Sequence, residues 1–299
     1  MAVPGVIRAG LSSAPPRARR RPLDGALKLG RRTIFYAVIV FFVLFYLFPT
    51  VWIISTSFKL PVEYYSTPPH WIPTTPTLMH YVRMFVDYGA GDTVKNSFII
   101  ATANTMVTLL FSVPVAYAIG RYKVGGNFLS FWIISQRMLP AVAIVIPFFL
   151  TFKALQLINT FHGIVLAYAL FFIPFAVWML LGFFEDFPQE IQDAALIDGC
   201  SELSSIVRIV LPILAGSIFV VALLLFVFTW NDLLIALVLT RQETRTVMVF
   251  FTAALVSPTQ EDFGVAAGAV VIGMVPAYLF AVFGQRYLVR GLSMGGLKG

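Results

Sequence analysis

Residues 188–212, PQEIQDAALIDGCSELSSIVRIVLP, decide the fold, because they form a polar interruption between two long apolar segments. The stretch carries four acidic residues and a single basic one. Pro188 suits the first position of a helix, and Glu190 in the first turn interacts favourably with the helix dipole. Gly199 is a common C-terminal stop. The pattern predicts a short amphipathic helix that lies, with the turn after it, at about residues 188–203.

The chain around this stretch has the composition of an integral membrane protein. Of its 299 residues, 59% are hydrophobic and 12% are charged, and the mean hydropathy is +0.87. Soluble domains carry about 25% charged residues, and an apolar helix of about 20 residues crosses a bilayer. We therefore expect an all-α membrane protein with six transmembrane helices. The six apolar stretches are residues 34–55, 97–119, 129–152, 163–184, 207–229 and 264–285.

The basic residues set the expected orientation of these spans. With the N-terminus inside, fourteen Lys and Arg residues fall on the cytoplasmic side and six on the opposite side. Because basic residues concentrate in cytoplasmic segments, both termini and the helix at 188–203 are predicted to be cytoplasmic. The first span has too long an apolar core for a signal peptide and lacks a cleavage site, so we expect it to remain as an anchor.

The N-terminal segment differs from the rest of the chain. Residues 1–33 are basic and rich in Pro, Ala and Gly, and we expect them to form a disordered cytoplasmic tail. Positive charge before a first span already explains this composition, so no nucleic-acid partner is expected. Residues 34–299 are expected to form one six-helix transmembrane domain surrounded by membrane lipid.

The sequence shows none of the usual catalytic or metal-binding patterns. It has no phosphate-binding G-x-x-x-x-G-K-[ST] loop, no paired-carboxylate site and no nucleophile placed beside a base. Cys200 is the one cysteine, and the three histidines lack metal-ligand spacing. We therefore expect that the chain is not an enzyme, binds no metal or cofactor itself, and relies on a partner for any energy it uses.

Charged and aromatic residues in or beside the spans are candidates for a translocation path. Arg137 lies within the third span, where it either lines a polar path or caps a helix that breaks before Pro140. Trp230, Asn231 and Asp232 end the fifth span, and they either line the path or belong to the aromatic belt at the interface. Buried carboxylates are scarce, which argues against coupling to an ion gradient.

The short helix has to lie against another surface, which could be the membrane, its own bundle or a partner protein. One small, flat face is predicted for Ile191, Ala194, Ala195 and Ile197. A helix on a lipid surface favours Lys and Arg on its polar side, whereas this helix is acidic. A basic groove on a cytoplasmic partner therefore fits better.

The segment DAALIDGCSELSSIVRIVLP resembles the EAA motif, which reads E-A-A-x-x-x-G and, after nine residues, I-x-L-P. This motif marks the permeases of binding-protein-dependent ABC importers. The matching residues are Asp193, Ala194, Ala195, Gly199, Ile209, Leu211 and Pro212. The segment departs from the motif in having Asp193 for Glu, and Cys200 where a small residue is usual. Two further segments, TWNDLLIALVLT at 229–240 and the C-terminal QRYLVRGLSMGGLKG, are similar to the second permease subunit of maltose-type carbohydrate importers.

The resemblance implies a fold, a location and a set of partners. The fold is that of a type I ABC importer permease in a prokaryotic inner membrane. The partners are a second homologous permease, two ATPase subunits that hold ATP and Mg²⁺, and an extracytoplasmic solute-binding protein. Residues 188–203 would form a coupling helix seated in a groove of one ATPase, and residues 291–299 would touch the ATPases as well. The residues implied in coupling are Glu190, Asp193, Ala194, Ala195, Asp198, Gly199 and Pro212.

Two functions from other classes remain open on the sequence. One is a stand-alone secondary transporter or channel of six helices, and the other is a membrane-anchored scaffold. The solute is also open among disaccharides, monosaccharides, polyols and glycerol phosphate. Trp178 and Trp230 are suited to stacking on a sugar, but tryptophans at such positions are also ordinary core and belt residues.

Overall fold

The structure, a computed structural model, describes residues 22–256 and 262–294, and these residues contain no β-strand. Four short turns of other helix types occur, 3₁₀ at Pro61–Glu63 and Gln136–Met138, and π at Arg83–Asp87 and Ile206–Val210. The α-helices in the described ranges are α1 (Pro22–Ser57), α2 (Met79–Val82), α3 (Ala90–Tyr122), α4 (Gly126–Ser135), α5 (Ala141–Ala154), α6 (Phe161–Glu185), α7 (Gln189–Ile197), α8 (Glu202–Ser205), α9 (Leu211–Asn231), α10 (Leu234–Leu239), α11 (Val247–Val256) and α12 (Asp262–Met294).

Five of the six expected spans are long, apolar helical segments in the structure. Each is long enough to cross the hydrocarbon core, which is about 30 Å thick. The fifth expected span, at 207–229, corresponds to a segment that runs through α8, a π-helical turn and α9 without interruption. The segments are Arg31–Ser57, Ala90–Tyr122, Phe161–Glu185, Glu202–Asn231 and Phe263–Phe280.

The third expected span is not one straight helix. It consists of Gly126–Met138 and Ala141–Ala154, which meet at an angle of 89°. Leu139 and Pro140 have extended backbones, with ψ of 123° and 132°. A residue before proline is sterically excluded from the helical region, so the break follows from Pro140. Within residues 22–256 and 262–294, six segments are long and apolar enough to span when this bent pair counts as one.

The N-terminal boundary also differs from the expected one. Helix α1 begins at Pro22, inside the segment predicted to be a disordered tail, while residues 1–21 lie outside the described residues. Proline is favoured at a helix start, and the Leu, Ala and Lys that follow have high helix propensity. The chain divides into two compact units, and the first ends at Val51. In the first, the apolar side chains from Ile34 to Leu47 are exposed within this chain.

Helices α3, α6 and α9 form the core of the unit that begins at Trp52. Tyr168, Leu180 and Leu225 are fully buried there. The ends of α3 and α6 approach closely at Gly120, where an added Cβ would lie 2.9 Å from the Cβ of Phe184. This close approach fixes the platform on which α7 lies.

The segment between α1 and α3 is ordered by a buried carboxylate. Glu63 accepts hydrogen bonds from the hydroxyl and the backbone N–H of Thr74, and from the backbone N–H of Leu60. The Thr74 hydroxyl, together with these N–H donors, lowers the pKa of Glu63 below its usual range. The imidazole Nε2 of the buried His80 lies 2.8 Å from both the Tyr64 hydroxyl and the Lys59 carbonyl oxygen.

Candidate functional site

Helix α7 stops where its sequence predicts and begins one residue later than expected. Pro188 has an extended backbone and comes directly before the first helical residue, whereas the sequence predicts it as the first helical residue itself. Gly199 has φ +89°, a conformation that other residues rarely adopt, and it ends the helix. The N–H groups of Gly199 and Cys200 donate to the carbonyls of Leu196 and Ala195 at 3.1 and 3.0 Å. These bonds satisfy the last carbonyls of the helix.

A buried amide fastens α7 to the bundle. The side chain of Gln192 is 1% exposed. Its Nε2 donates to the Tyr117 hydroxyl at 2.6 Å and to the Ser205 hydroxyl at 3.1 Å. Tyr117 belongs to α3 and Ser205 to α8, so a single side chain connects three helices. Sequence reasoning missed this residue, because its two partners lie on other helices.

An arginine at the end of α3 contacts the outer side of α7. Arg121 donates to the side-chain oxygen of Gln189 at 2.8 Å and forms an ion pair with Asp193. The Asp193 side chain is 53% exposed, compared with 15% for Arg121. From the sequence, Arg121 counts only among the basic residues that predict the orientation of the spans. The structure shows that it positions the acidic residue of the motif.

Two further polar contacts surround this end of α3. The Tyr122 hydroxyl donates to Glu202 of α8 at 2.7 Å, and Lys123 pairs with Glu185 of α6 at 2.7 Å. Helices α3, α6, α7 and α8 are therefore linked by side-chain hydrogen bonds at one end of the bundle. Their spacing lets a displacement of α7 act on its neighbours directly.

The face predicted for α7 is split between two sides of the helix. Ala195 is buried with Gln192 against the bundle, whereas Ala194 is exposed. The prediction of one shared face for the two alanines was wrong, because adjacent residues of a helix point about 100° apart. The exposed side combines large apolar residues and acids. It consists of Glu190, Ile191, Asp193, Ala194, Ile197 and Asp198, with Ile197 exposed to 86%.

Pro212 lies apart from the other motif residues, in the first turn of α9. It follows a π-helical turn at Ile206–Val210, in which the N–H of Leu211 donates to Ile206. Proline has no N–H to donate to the carbonyl four residues earlier, and the wider turn accommodates this loss. Pro212 therefore shapes the connection from α8 to α9, while the other six predicted residues lie on α7 or its stop.

The second candidate region is the break between α4 and α5. Arg137 lies in the 3₁₀ turn and donates to the carbonyl of Phe171 in α6 at 3.4 Å. Its guanidinium carbon is 4.8, 5.4 and 5.7 Å from the ring centroids of Phe171, Phe175 and Phe172. These distances are within the range of cation–π attraction.

The rings around Arg137 continue into a larger group, which we call the aromatic shelf. Its members are Phe171, Phe172, Phe175, Trp178 and Phe228. Phe228 of α9 is 5.4 Å from Phe175, and Trp178 is 6.4 Å from Phe175. Trp178 and Phe228 are exposed to 51% and 41%. The shelf is thus open on one side.

The other predicted path residues have different surroundings. The Asp232 carboxylate accepts from the Tyr168 hydroxyl at 2.9 Å and from the N–H groups of Ile235 and Ala236, which begin α10. The buried Trp230 donates from its indole N–H to the carbonyl of Gly273 at 3.0 Å. These two side chains hold α10 and α12 in place.

Asn231 is exposed and lines a cavity of about 220 Å³ among residues of α11 and α12. Its side chain donates to the carbonyl of Val227 at 2.8 Å. The remaining lining is apolar and includes Phe251 and Met274. The structure therefore gives Arg137 and the 230–232 segment separate environments.

Comparison with known proteins identifies the family. Residues 108–294 match the family described as binding-protein-dependent transport system inner membrane component. The sulfoquinovosyl glycerol transport system permease of Agrobacterium fabrum is 34% identical over 85% of this chain and 89% of that protein. The trehalose transport system permease of Mycobacterium tuberculosis is 32% identical over 90% of this chain and 99% of that protein. Both are named as transport permeases rather than enzymes.

A solved structure has the same fold. It is a chain from the crystal structure of a bacterial ABC transporter involved in the import of the acidic polysaccharide alginate. The TM-score is 0.75 at 20% sequence identity, over 90% of this chain and 98% of that chain. With its apolar helices and its motif, the chain is a multi-pass inner-membrane protein that belongs to the family of binding-protein-dependent transport system inner membrane components, the permease subunits of ABC importers.

Proposed function

We propose that this chain forms, with a second permease, the path by which a saccharide enters the cell, driven by ATP hydrolysis on two partner ATPases. The observation that carries the proposal is helix α7, whose inner face is locked to the bundle and whose outer face is acidic and exposed. The similar permeases named for trehalose, for trehalose and maltose, and for sulfoquinovosyl glycerol support a saccharide as the solute. An extracytoplasmic binding protein delivers it.

The contacts of α7 supply a mechanism for coupling. A basic groove on an ATPase would receive the acidic side, and Ile197 would insert an apolar side chain at the centre of the contact. When the ATPases close on ATP and Mg²⁺, a pull on α7 reaches α3 through Gln192 and Arg121. The same pull reaches α9 through Ser205 and α8. Two of the three core spans, α3 and α9, therefore move with the ATPases.

The orientation follows from the same assignment. The α7 end of the bundle and both termini lie in the cytoplasm, which agrees with the fourteen basic residues expected on that side. Residues 295–299 lie outside the described residues, and we propose that the segment 291–299 is a second contact with the ATPases. The coupling residues are those of α7 and its stop, together with Pro212 at the start of α9.

The path residues divide into two groups. Arg137 is proposed to line the path, because an ionised residue within a span faces a polar cavity or another protein group rather than lipid. Asn231 is exposed beside its own cavity and lines a second part of the path. Trp230 and Asp232 act by holding α12 and α10 in position.

Copurification and reconstitution test this function. The chain is expected to copurify with an ATPase that has a phosphate-binding loop and with a second permease. In proteoliposomes, this complex should take up trehalose or a related saccharide only with MgATP and the binding protein. A chain that transports solute without any ATPase would instead be a stand-alone transporter. One that recruits partners but moves no solute would be a scaffold.

A further inference from the structure

We infer that Arg137 and the aromatic shelf form a saccharide-binding site within this subunit. The inference rests on the proposed function, since it assigns a residue-level solute site to the path. It joins three independent features of the structure: an arginine with unused donors, an exposed aromatic surface, and a helix break at membrane depth.

The first feature is the state of the Arg137 guanidinium. A guanidinium has five N–H donors, and the hydrogen bond to the Phe171 carbonyl is a long one at 3.4 Å. Among the described side chains, Arg137 forms no ion pair with a carboxylate. An arginine in such a position retains donors for oxygen atoms of a ligand.

The second feature is the shape of the aromatic surface. Phe171, Phe175 and Trp178 have the spacing i, i+4, i+7, so they follow one face of α6. The rings of Phe175 and Phe228 meet edge to face at 5.4 Å. Trp178 and Phe228 are about half exposed, which leaves part of each ring accessible. Sugar sites combine such aromatic surfaces, which pack on the C–H face of a pyranose, with a few polar groups that fix its orientation.

The third feature is the depth of the break. Phe171 is the eleventh of the 25 residues of α6, which places its carbonyl about 15 Å from the start of the helix. That distance is about half the thickness of the hydrocarbon core. Interrupted helical backbone at this depth is stable only where it lies within protein or lines a water-filled cavity. The break at Leu139 and Pro140 and the charge beside it are therefore placed away from lipid, and we assign the surface that they share with the shelf to the path.

Uptake kinetics of the complete reconstituted complex test the site. The probe is the sugar from a panel of trehalose, maltose and sulfoquinovosyl glycerol that the wild-type complex takes up fastest. Trp178→Leu and Arg137→Gln should each raise the KM for uptake about tenfold, from loss of stacking or of a charged donor. Trp178→Phe should keep most of the affinity. Phe111→Leu is the matched control, because Phe111 is exposed to 55% on α3 and lies outside the shelf.

Thiol labelling provides a second measurement that does not depend on uptake by a variant. Cys200 is the only cysteine, so a Cys200→Ser background allows single cysteines to be placed at positions 178 and 111. A water-soluble methanethiosulfonate should label Trp178→Cys about tenfold faster than Phe111→Cys, since water reaches only the path. The transported sugar should slow the labelling at position 178.

The outcomes separate this site from the function on which it rests. A wild-type complex that takes up none of the three sugars with MgATP contradicts the proposed function. If the wild type transports a sugar while the KM of Trp178→Leu and Arg137→Gln stays within twofold of it, the site is refuted and the function stands. Labelling at position 178 that is as slow as at position 111 would show a surface covered by lipid or the second permease, which also refutes the site.

Discussion

At the α7 end of the bundle, the buried amide of Gln192 has two hydrogen-bond partners, whereas at the break between α4 and α5 the Arg137 guanidinium has one distant carbonyl and three rings. Both regions place a polar group among apolar helices. In the first region the polar group is satisfied by its own chain, and it fixes the position of a helix. In the second region donors remain for a ligand. Under the proposed function, the difference separates residues that would transmit movement from residues that would contact solute.

The largest effect is expected for Gln192→Leu. The substitution leaves the Tyr117 hydroxyl and the Ser205 hydroxyl without this donor in a buried site, which should lower the free energy of unfolding by about 2–4 kcal/mol. Sugar uptake per ATP hydrolysed should fall with it, because α7 loses its buried link to α3 and α8 and keeps only the exposed contacts of Arg121. Thermal unfolding of the purified complex and the ratio of uptake to ATP hydrolysis measure the two effects.

The matched control is Gln189→Leu, at an exposed position of the same helix. It loses only the solvent-exposed hydrogen bond from Arg121, so it should change stability by less than about 1 kcal/mol. Equal effects of the two substitutions would show that the buried amide has no special role. Arg137→Gln sharpens the contrast, since it should reduce uptake while leaving the unfolding temperature near that of the wild type.

A smaller effect is expected for Gly120→Ala, which tests the platform beneath α7. The added Cβ would lie 2.9 Å from the Cβ of Phe184, an atom fixed to the backbone of α6. Separating α3 from α6 should cost about 1–3 kcal/mol. Gly182→Ala on the same pair of helices is the control, because no atom lies within 4 Å of its Cβ. If both variants unfold at the wild-type temperature, the close approach does not hold the platform.

A substitution of Gly199, which ends α7, should lower the stability less than the substitution of Gln192 does. Gly199→Val places a branched residue at φ +89° in open space, so backbone strain of about 1–2 kcal/mol is the main cost. The protein should remain in the membrane, while uptake per ATP falls because the outer face of α7 is displaced. Gly199→Asn is the control, since Asn tolerates left-handed backbone better. Wild-type coupling in Gly199→Val would contradict the assignment of α7.

The smallest effect on stability is expected for Asp193→Asn. An ion pair this exposed contributes at most about 1 kcal/mol, and salt weakens it further. The unfolding temperature should therefore hardly change, while coupling falls if Asp193 also meets the ATPase. Glu190→Gln removes a neighbouring exposed acid without breaking the Arg121 pair. A loss of stability well above 1 kcal/mol in Asp193→Asn would show that Arg121 depends on this partner more than exposure indicates.

Much of the fold could be predicted because bilayer thickness limits the alternatives. Five apolar segments, the start and stop of the short helix and the family were readable from hydropathy and a short motif. The break in the third span was expected only as one of two readings of Arg137, because composition carries no information about the angle between helices, although Pro140 marks the place. The start of α1 was placed too late because a basic, proline-rich composition hid a run of good helix formers after Pro22.

The functional contacts were less predictable. Gln192 meets Tyr117 across 75 positions of sequence, and Arg121 meets Asp193 across 72 positions. No local pattern in the sequence predicts either pair. The split between Ala194 and Ala195 depends on the rotation of a nine-residue helix. That rotation is set by its contacts rather than by its weak amphipathic pattern.

The sequence by itself determined that the chain enters a membrane, roughly where its apolar spans lie, and that one short acidic helix lies between two of them. These properties depend on residues close together in the chain, where backbone sterics and transfer to lipid decide the outcome. Only the tertiary structure decided which polar groups are satisfied. It pairs Gln192 with Tyr117 and Ser205 but leaves Arg137 with free donors above an aromatic surface, because hydrogen bonds and ring contacts between helices depend on distances that the order of residues does not contain.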